Sequence, residues 1–449
     1  MWQNISKNII LFLNNLITEL KNIVFDFWEK LKANTFYKNI AIVASGNITA
    51  RLIAILLTPV ITRIYSPADY GIYNIFMSVI GITGALATLR YSVTIPVADN
   101  EKLADNLLKL CFFITISLSI LWLLIIVIFG NNISNHFGSL GLKSFLWLIP
   151  IVFFGKGIYE ALNNWAIRYR NFKLITRTKL TQSVSSSIVK IGLGLLNIKP
   201  LGLLIGHIVS ETAGIANIFS KLLKTRPQFF KEFSFPAIKS AAIRYKRFPL
   251  IQSWSQLLLS AGAQLPVLLL GFYYNAEIVG VFGLANTMIR LPMDLIGQSV
   301  SQVYFGEISK YGKDNPRKIY NLTISLLKRL LKVGIIPIAL IAIFGPWIFS
   351  LVFGSEWYDA GLYARLLSVY ALSAFLSAPV ASVFNVYERM DLQLGLNIFR
   401  VSLVVLVFVI CGYLELTPVC TIGVYSISLS FYFIFSVIRV IKLVKENLR

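Results

Sequence analysis

Ten ionisable side chains stand inside stretches of sequence that are otherwise apolar: Arg51, Lys156, Glu160, Lys190, His207, Glu211, Arg290, Asp294, Arg365 and Arg400. A charge at the centre of a membrane-spanning helix costs about 2.5–3.5 kcal/mol, so such groups normally face a protein interior or a wet cavity. Their polar neighbours repeat at helical spacing. Asn286, Arg290, Asp294, Gln298 and Gln302 step by four, as do Gln182, Ser186 and Lys190, and Gln393, Asn397 and Arg400 share a face. Stripes of this kind line cavities. Three pairs are spaced to bind one another on a single helix, Lys156 with Glu160, His207 with Glu211 and Arg290 with Asp294. Structural pairing alone still leaves a surplus, because six bases face three acids. With Arg90, at the basic end of a hairpin, these bases are the candidates for binding an anionic substrate. Glu160, Glu211 and Asp294 are the candidates for pairing or coupling.

The elements that must position them are transmembrane helices. Of 449 residues, 56% are hydrophobic and 14% charged, with a mean hydropathy of +0.72, far from the balance of a soluble domain. A span needs about 20 apolar residues, and twelve such runs are expected between residues 40 and 440, among them 71–92, 144–164, 175–196 and 201–222. The fold class is therefore an all-α integral membrane protein.

A formal charge of +22 would suit nucleic acid, but the distribution of the charge points to a bilayer instead. With both termini on the cytoplasmic side, 33 of the 42 basic residues fall in inside segments and three (Arg63, Lys143, Lys199) outside, the positive-inside asymmetry of a polytopic membrane protein. Residues 1–35 precede the first run. Ile9, Leu13, Leu16, Leu20, Ile23 and Phe27 form a stripe with charges off it, as expected of an amphipathic helix lying on the membrane. Cys111, Cys411 and Cys420 have no CxxC spacing and no histidine partner, so buried thiols are expected rather than a metal site. No phosphate loop, nucleophile elbow or zinc motif is present, so no cofactor is implied, and neither catalysis nor ATP-driven pumping is expected of this chain alone.

Two turns share one frame. YSPADYGIY (65–73) and YNAEIVGVF (274–282) each place a tyrosine, a polar or small turn, and a glycine six residues on. The offset of 209 maps the first expected span onto the seventh and the second onto the eighth, and it sets Arg365 on Lys156 and Arg400 within one residue of Lys190. The organisation expected is an interfacial segment at 1–35, a six-helix lobe at 36–222, a basic cytoplasmic linker at 223–247 and a second six-helix lobe at 248–449. An even number of spans per lobe makes the repeats parallel, about an axis along the membrane normal.

The run TPVITRIYSPADYGIYNIFMSVIGITGALATLRYSVTIPVADN (58–100) resembles the first hairpin of the bacterial polysaccharide-biosynthesis transporters, the O-antigen flippase group. MIRLPMDLIGQSVSQVYFGEIS (288–309) and FGSEWYDAGLYARLLS (353–368) resemble two later signatures of that group. Ser92 departs from the pattern, standing where an acid is expected after Arg90–Tyr91. The resemblance implies the fold of the multidrug/oligosaccharidyl-lipid/polysaccharide exporters, two lobes around a central cavity. It also implies a bacterial cytoplasmic membrane and, as substrate, undecaprenyl-diphosphate-linked oligosaccharide. Further partners would be membrane lipids, a polysaccharide polymerase and chain-length proteins. Trp165, Trp254, Tyr273 and Tyr274 are candidates for stacking on sugar faces or for an interfacial belt. A drug/cation antiporter of the same fold would call for acids in the cavity. A membrane polysaccharide polymerase would call for a large catalytic loop outside, and the longest expected there is about 130–143.

Overall fold

The computed structural model describes residues 35–136, 143–312 and 315–448; the amphipathic segment expected at 1–35 lies almost wholly outside them. Among the described residues fifteen α-helices follow one another and no strand occurs. In the first lobe they are α1 (Thr35–Ile64), α2 (Pro67–Thr83), α3 (Glu101–His136), α4 (Leu148–Arg168), α5 (Phe172–Leu195), α6 (Leu201–Thr212), α7 (Ile215–Thr225) and α8 (Phe235–Arg244). The second lobe holds α9 (Ser253–Tyr273), α10 (Ala276–Tyr311), α11 (Pro316–Phe353), α12 (Tyr358–Val380), the single turn α13 (Val383–Val386), α14 (Met390–Tyr413) and α15 (Pro418–Glu446). α1 packs on α5 and α5 on α6 within the first lobe. α12 packs on α10, α11 and α15 within the second, and α2 crosses between the lobes to lie along α9 and α10.

Among the described residues, nine helices or helix pairs are long and apolar enough to cross a membrane. The count of twelve expected from sequence is not reached on that measure. α2 has only 17 residues, and α4 and α5 carry charged and polar residues that lower their hydropathy, those of α5 lining the central cavity. The expected span 71–92 is α-helical only to Thr83 and continues in 3₁₀ turns, with Leu89 and Arg90 in the left-handed region at φ 44° and 60°. Arg168 holds this irregular stretch, its Nη1 donating to the carbonyls of Ile95 (3.1 Å), Pro96 (3.3 Å) and Ala98 (2.7 Å), groups that no helix would otherwise satisfy. The run 201–222 is two helices, α6 and α7. Gly214 lies at the break, where a Cβ would come 2.7 Å from Cβ of Thr178.

The two echoed turns are helix starts. Ser66 caps α2 and forms a capping box with Asp69, Asp69 N donating to Ser66 Oγ at 3.3 Å and Ser66 N to Asp69 Oδ2 at 3.0 Å, with Pro67 opening the first turn. Asn275 caps α10 in the same way, its Oδ1 accepting from Ile278 N at 3.0 Å. Each tyrosine ties its hairpin to its own lobe. Tyr65 donates to Lys190 O at 2.7 Å, and Tyr274 donates to Leu416 O at 2.8 Å. Burial, with Asp69 nearby, pushes the Tyr65 hydroxyl up to about 12, so it remains a donor.

The glycines of the frame make the crossing between lobes. A Cβ on Gly71 would stand 1.7 Å from Ala276 O, and one on Gly280 would stand 1.8 Å from Pro67 O. Ala276 and Gly280 are the offset-209 counterparts of Pro67 and Gly71, so the contact is reciprocal, as a pseudo-two-fold axis requires. Trp357, fully buried, adds a bond across the same end, its Nε1 donating to Thr62 O at 2.9 Å. Arg63 adds another, Nη2 to Leu351 O at 3.3 Å. The lobes are thus closed at the end that carries these turns.

The stretch 223–247 is docked on the first lobe. Arg226 pairs with Glu101 and with Asp105 (2.6 Å), Arg244 pairs with Asp99, and Lys109 Nζ donates to Glu232 O at 2.6 Å. Tyr91 donates to Ala242 O at 3.0 Å.

Candidate functional site

A cavity of about 780 Å³ separates the lobes below the closed end. Its walls come from α1, α2, α5 and α6 on one side and from α9 and α10 on the other. Four bases face it, Arg51, Lys179, Lys190 and Arg290, with Asp294 the one acid in its lining. The α5 stripe read from sequence, Gln182–Ser186–Lys190, lies along one wall. Lys179 extends the same stripe one turn back. Sequence reasoning missed it by counting it among the cytoplasmic bases, although its spacing of three from Gln182 was the available signal.

The bases are held differently. Lys190 Nζ reaches Tyr73 Oη at 3.4 Å and lies 5.0 Å from the centre of that ring, while Gly206 gives its stem room on α6, where a Cβ would come 2.3 Å from Lys190 Cγ. Lys179 Nζ sits 4.8 Å over the Tyr159 ring, a cation–π placement. Arg51 is exposed to the cavity. Buried amide atoms Asn74 Nδ2, Gln182 Nε2 and Asn286 Oδ1 in the same walls have no partner among the described residues, a cost in an apolar medium unless a ligand meets them.

A second cavity, of about 450 Å³, lies inside the second lobe. All five residues of the α10 stripe, Asn286, Arg290, Asp294, Gln298 and Gln302, line it, together with Arg400 from α14. It shares Asn286, Arg290 and Asp294 with the central cavity, so those residues stand at the junction. Arg290 Nη1 donates to Tyr370 Oη at 3.4 Å, and its Nη2 is 3.7 Å from Asp294 Oδ2.

The remaining candidates lie outside both cavities. Lys156 is not paired with Glu160. Its Nζ donates to Ile80 O at 3.4 Å beside Gly84, where a Cβ would press on the lysine stem. Glu160 instead accepts from Ser92 Oγ at 2.6 Å, and Thr88 donates on to Ser92 at 3.0 Å. The acid missing from position 92 is therefore brought to that place by α4. His207 is buried, 3.9 Å from Glu211, with Ser210 Oγ 3.1 Å from its Nδ1. Arg90 has a buried Nε without a partner among the described residues. Arg365 is exposed and donates to Ile343 O at 2.9 Å. Among the aromatic candidates, Trp165 is fully buried against Tyr169, Trp254 is exposed, Tyr273 packs on Gly412 and Tyr274 bonds Leu416. The aromatic walls are formed by residues the sequence did not mark, Tyr70 and Tyr73 in the central cavity and Tyr370, Phe375, Tyr425 and Phe433 in the other.

The family profile described as polysaccharide biosynthesis protein matches residues 60–362, two thirds of the chain. The chain belongs to the polysaccharide biosynthesis protein family. No curated protein sequence matches it. In fold, this family member is similar to an inward-facing multidrug resistance MATE family transporter of the MOP superfamily. The TM-score is 0.68 at 16% identity, over 90% of this chain and 99% of that one. It is also similar to a MOP superfamily transporter from Pyrococcus furiosus, described by the reverse polarity of its binding pocket, with a TM-score of 0.55 at 16% identity over 92% and 96%. A MATE transporter in complex with MaD3S matches at 0.55 and 18% identity over 91% and 97%. Two helical lobes about a central cavity are thus the architecture of this polysaccharide biosynthesis protein.

Proposed function

We propose that the protein is a flippase that carries undecaprenyl-diphosphate-linked oligosaccharide from the inner to the outer leaflet of a bacterial cytoplasmic membrane, both of its own termini lying inside. The observation that carries this reading is the excess of four bases over one acid in a polar cavity between two lobes, within a family devoted to polysaccharide synthesis. Arg51, Lys179, Lys190 and Arg290 suit a diphosphate, since arginine offers a planar fork of donors and lysine a compact charge. The lipid tail stays in the bilayer beside α1, whose Ile48, Leu52, Leu56 and Val60 are exposed apolar side chains.

The transport cycle needs two states of one fold. With the lobes closed at the end bearing Gly71 and Gly280, the cavity loads from the cytoplasmic side. Rocking of the lobes then breaks that crossing and exposes the diphosphate to the outer side. A diphosphate carries roughly two charges, and each gains about 2.3 kcal/mol per 100 mV of inside-negative potential on moving outward. The protein has only to lower the barrier. A drug/cation antiporter would want the opposite charge balance in its cavity.

The test is the lipid-linked product that accumulates when the gene is deleted. A flippase leaves unpolymerised repeat units on the cytoplasmic leaflet. Single units on the outer leaflet would point to a polymerase and overturn the reading.

A further inference from the structure

Three features of the chamber inside the second lobe bear on what it takes. Its wall is aromatic. Tyr370 lies 5.9 Å from Tyr425 and 5.8 Å from Phe433 between ring centres, and all three line the space. Sugars present apolar C–H faces that rest on such rings, while their hydroxyls take amide partners of the kind Gln298 and Gln302 supply opposite. Its volume, about 450 Å³, is within the roughly 300–1,000 Å³ of sites that enclose a small ligand, here about one or two sugar rings.

Its charge is the third. Arg290 is engaged, with Tyr370 at 3.4 Å and Asp294 at 3.7 Å. Arg400 is not: its guanidinium faces the chamber and has neither a hydrogen bond nor an ion pair among the described residues. Helix α9 makes room for it at Gly262, where a Cβ would stand 3.1 Å from Nη2 and 3.2 Å from Nε. An uncompensated guanidinium at membrane depth is costly to keep, and a forked donor of this kind matches a carboxylate with two parallel bonds. Its counterpart in the first lobe, Lys190, is covered by Tyr73, so at this pair of equivalent positions the open cation is the second lobe's.

Resting on the flippase reading above, we infer that the second-lobe chamber is a glycan subsite selective for a sugar that bears a carboxylate, which Arg400 binds while the central bases hold the diphosphate. The division of labour follows from reach. The diphosphate is joined to a lipid that stays in the bilayer, so it occupies the cavity between the lobes. The glycan continues from it past the Arg290–Asp294 junction into the side chamber.

The experiment uses the full chain in lipid nanodiscs and two synthetic polyprenyl-diphosphate disaccharides, identical except that one ends in glucuronic acid and the other in glucose. The wild type should bind the glucuronic acid probe at least about tenfold more tightly, the difference a charge-assisted pair supplies. Arg400→Gln should abolish that preference by weakening the glucuronic acid probe, and a thermal unfolding midpoint equal to the wild type's reports that the variant is folded. Arg400→Lys should keep part of the preference. Equal wild-type affinity for the two probes would overturn the subsite while leaving the flippase reading in place. Equal weakening of both probes by Arg400→Gln would overturn it too, by assigning Arg400 to the diphosphate. A wild type that binds neither probe would overturn the flippase reading, and this inference with it.

Discussion

Replacing Gly280 by alanine should shift the protein away from the state seen here. The added Cβ would lie 1.8 Å from Pro67 O and 2.8 Å from both Pro67 C and Gly71 N. An ordinary carbon–oxygen contact is about 3.3 Å, so α2 and α10 must part by about 1.5 Å at their crossing. The obstructing atoms are backbone, which cannot swing aside as a side chain would. Overpacking of this kind costs about 1–3 kcal/mol. If the state open at this end is relieved of it, the ratio of the two states moves by about 5- to 150-fold. Ser78 reports on the change: it is 1% exposed, lines the central cavity and donates to Gln264 Oε1 at 3.1 Å. In a background without the native cysteines, Ser78→Cys should react slowly with an impermeant thiol reagent added outside intact cells, and at least about fivefold faster when Gly280→Ala is added. Gly71→Ala should do the same, and the double variant should fall short of the sum because both disturb one contact. Unchanged labelling in a normally inserted Gly280→Ala protein would refute the reasoning.

Trp357→Phe removes the Nε1 bond to Thr62 O and leaves that carbonyl buried and unpaired, a loss of about 1–3 kcal/mol at the same closure. Faster Ser78→Cys labelling is expected, and a loss of thermal stability without it would place the bond outside the gate. For topology, cysteines at exposed Lys199 and Glu356 should label from outside and those at exposed Lys173 and Lys239 should not; the reverse pattern would invert the orientation drawn from the basic residues. Lys179→Ala and Lys190→Ala should both lower surface polysaccharide, since both residues line one cavity, and normal export from the lysine-179 variant would remove it from the substrate path.

Much of the cavity was legible because a helix buried against a wet space must repeat polar residues at its own period. The α10 stripe from Asn286 to Gln302 and the α5 stripe from Gln182 to Lys190 are both lining residues, as the spacing required. The echoed turns were legible as a repeat, and their glycines turn out to be the inter-lobe crossing, something only the packing of two distant segments can show. Less was legible where a side chain's partner comes from another helix. Lys156 and Glu160 are spaced to pair but are drawn apart by Ile80 O and Ser92. Arg365 stands in an apolar run as the cavity bases do, yet it is exposed and lines neither cavity. The aromatic walls were hidden among 20 tyrosines and 32 phenylalanines, whose type alone does not distinguish a cavity face from a lipid face.

The central claim is that the basic cavity between the lobes moves a lipid diphosphate. It is tested most directly by following the transfer of a fluorescent polyprenyl-diphosphate disaccharide between leaflets of proteoliposomes, with an imposed potassium-diffusion potential. Transfer should require the protein, accelerate when the potential favours outward movement of the anion, and fall at least about tenfold in Arg51→Ala, Lys190→Ala or Arg290→Ala. Transfer that ignores the potential and survives all three substitutions would contradict the account.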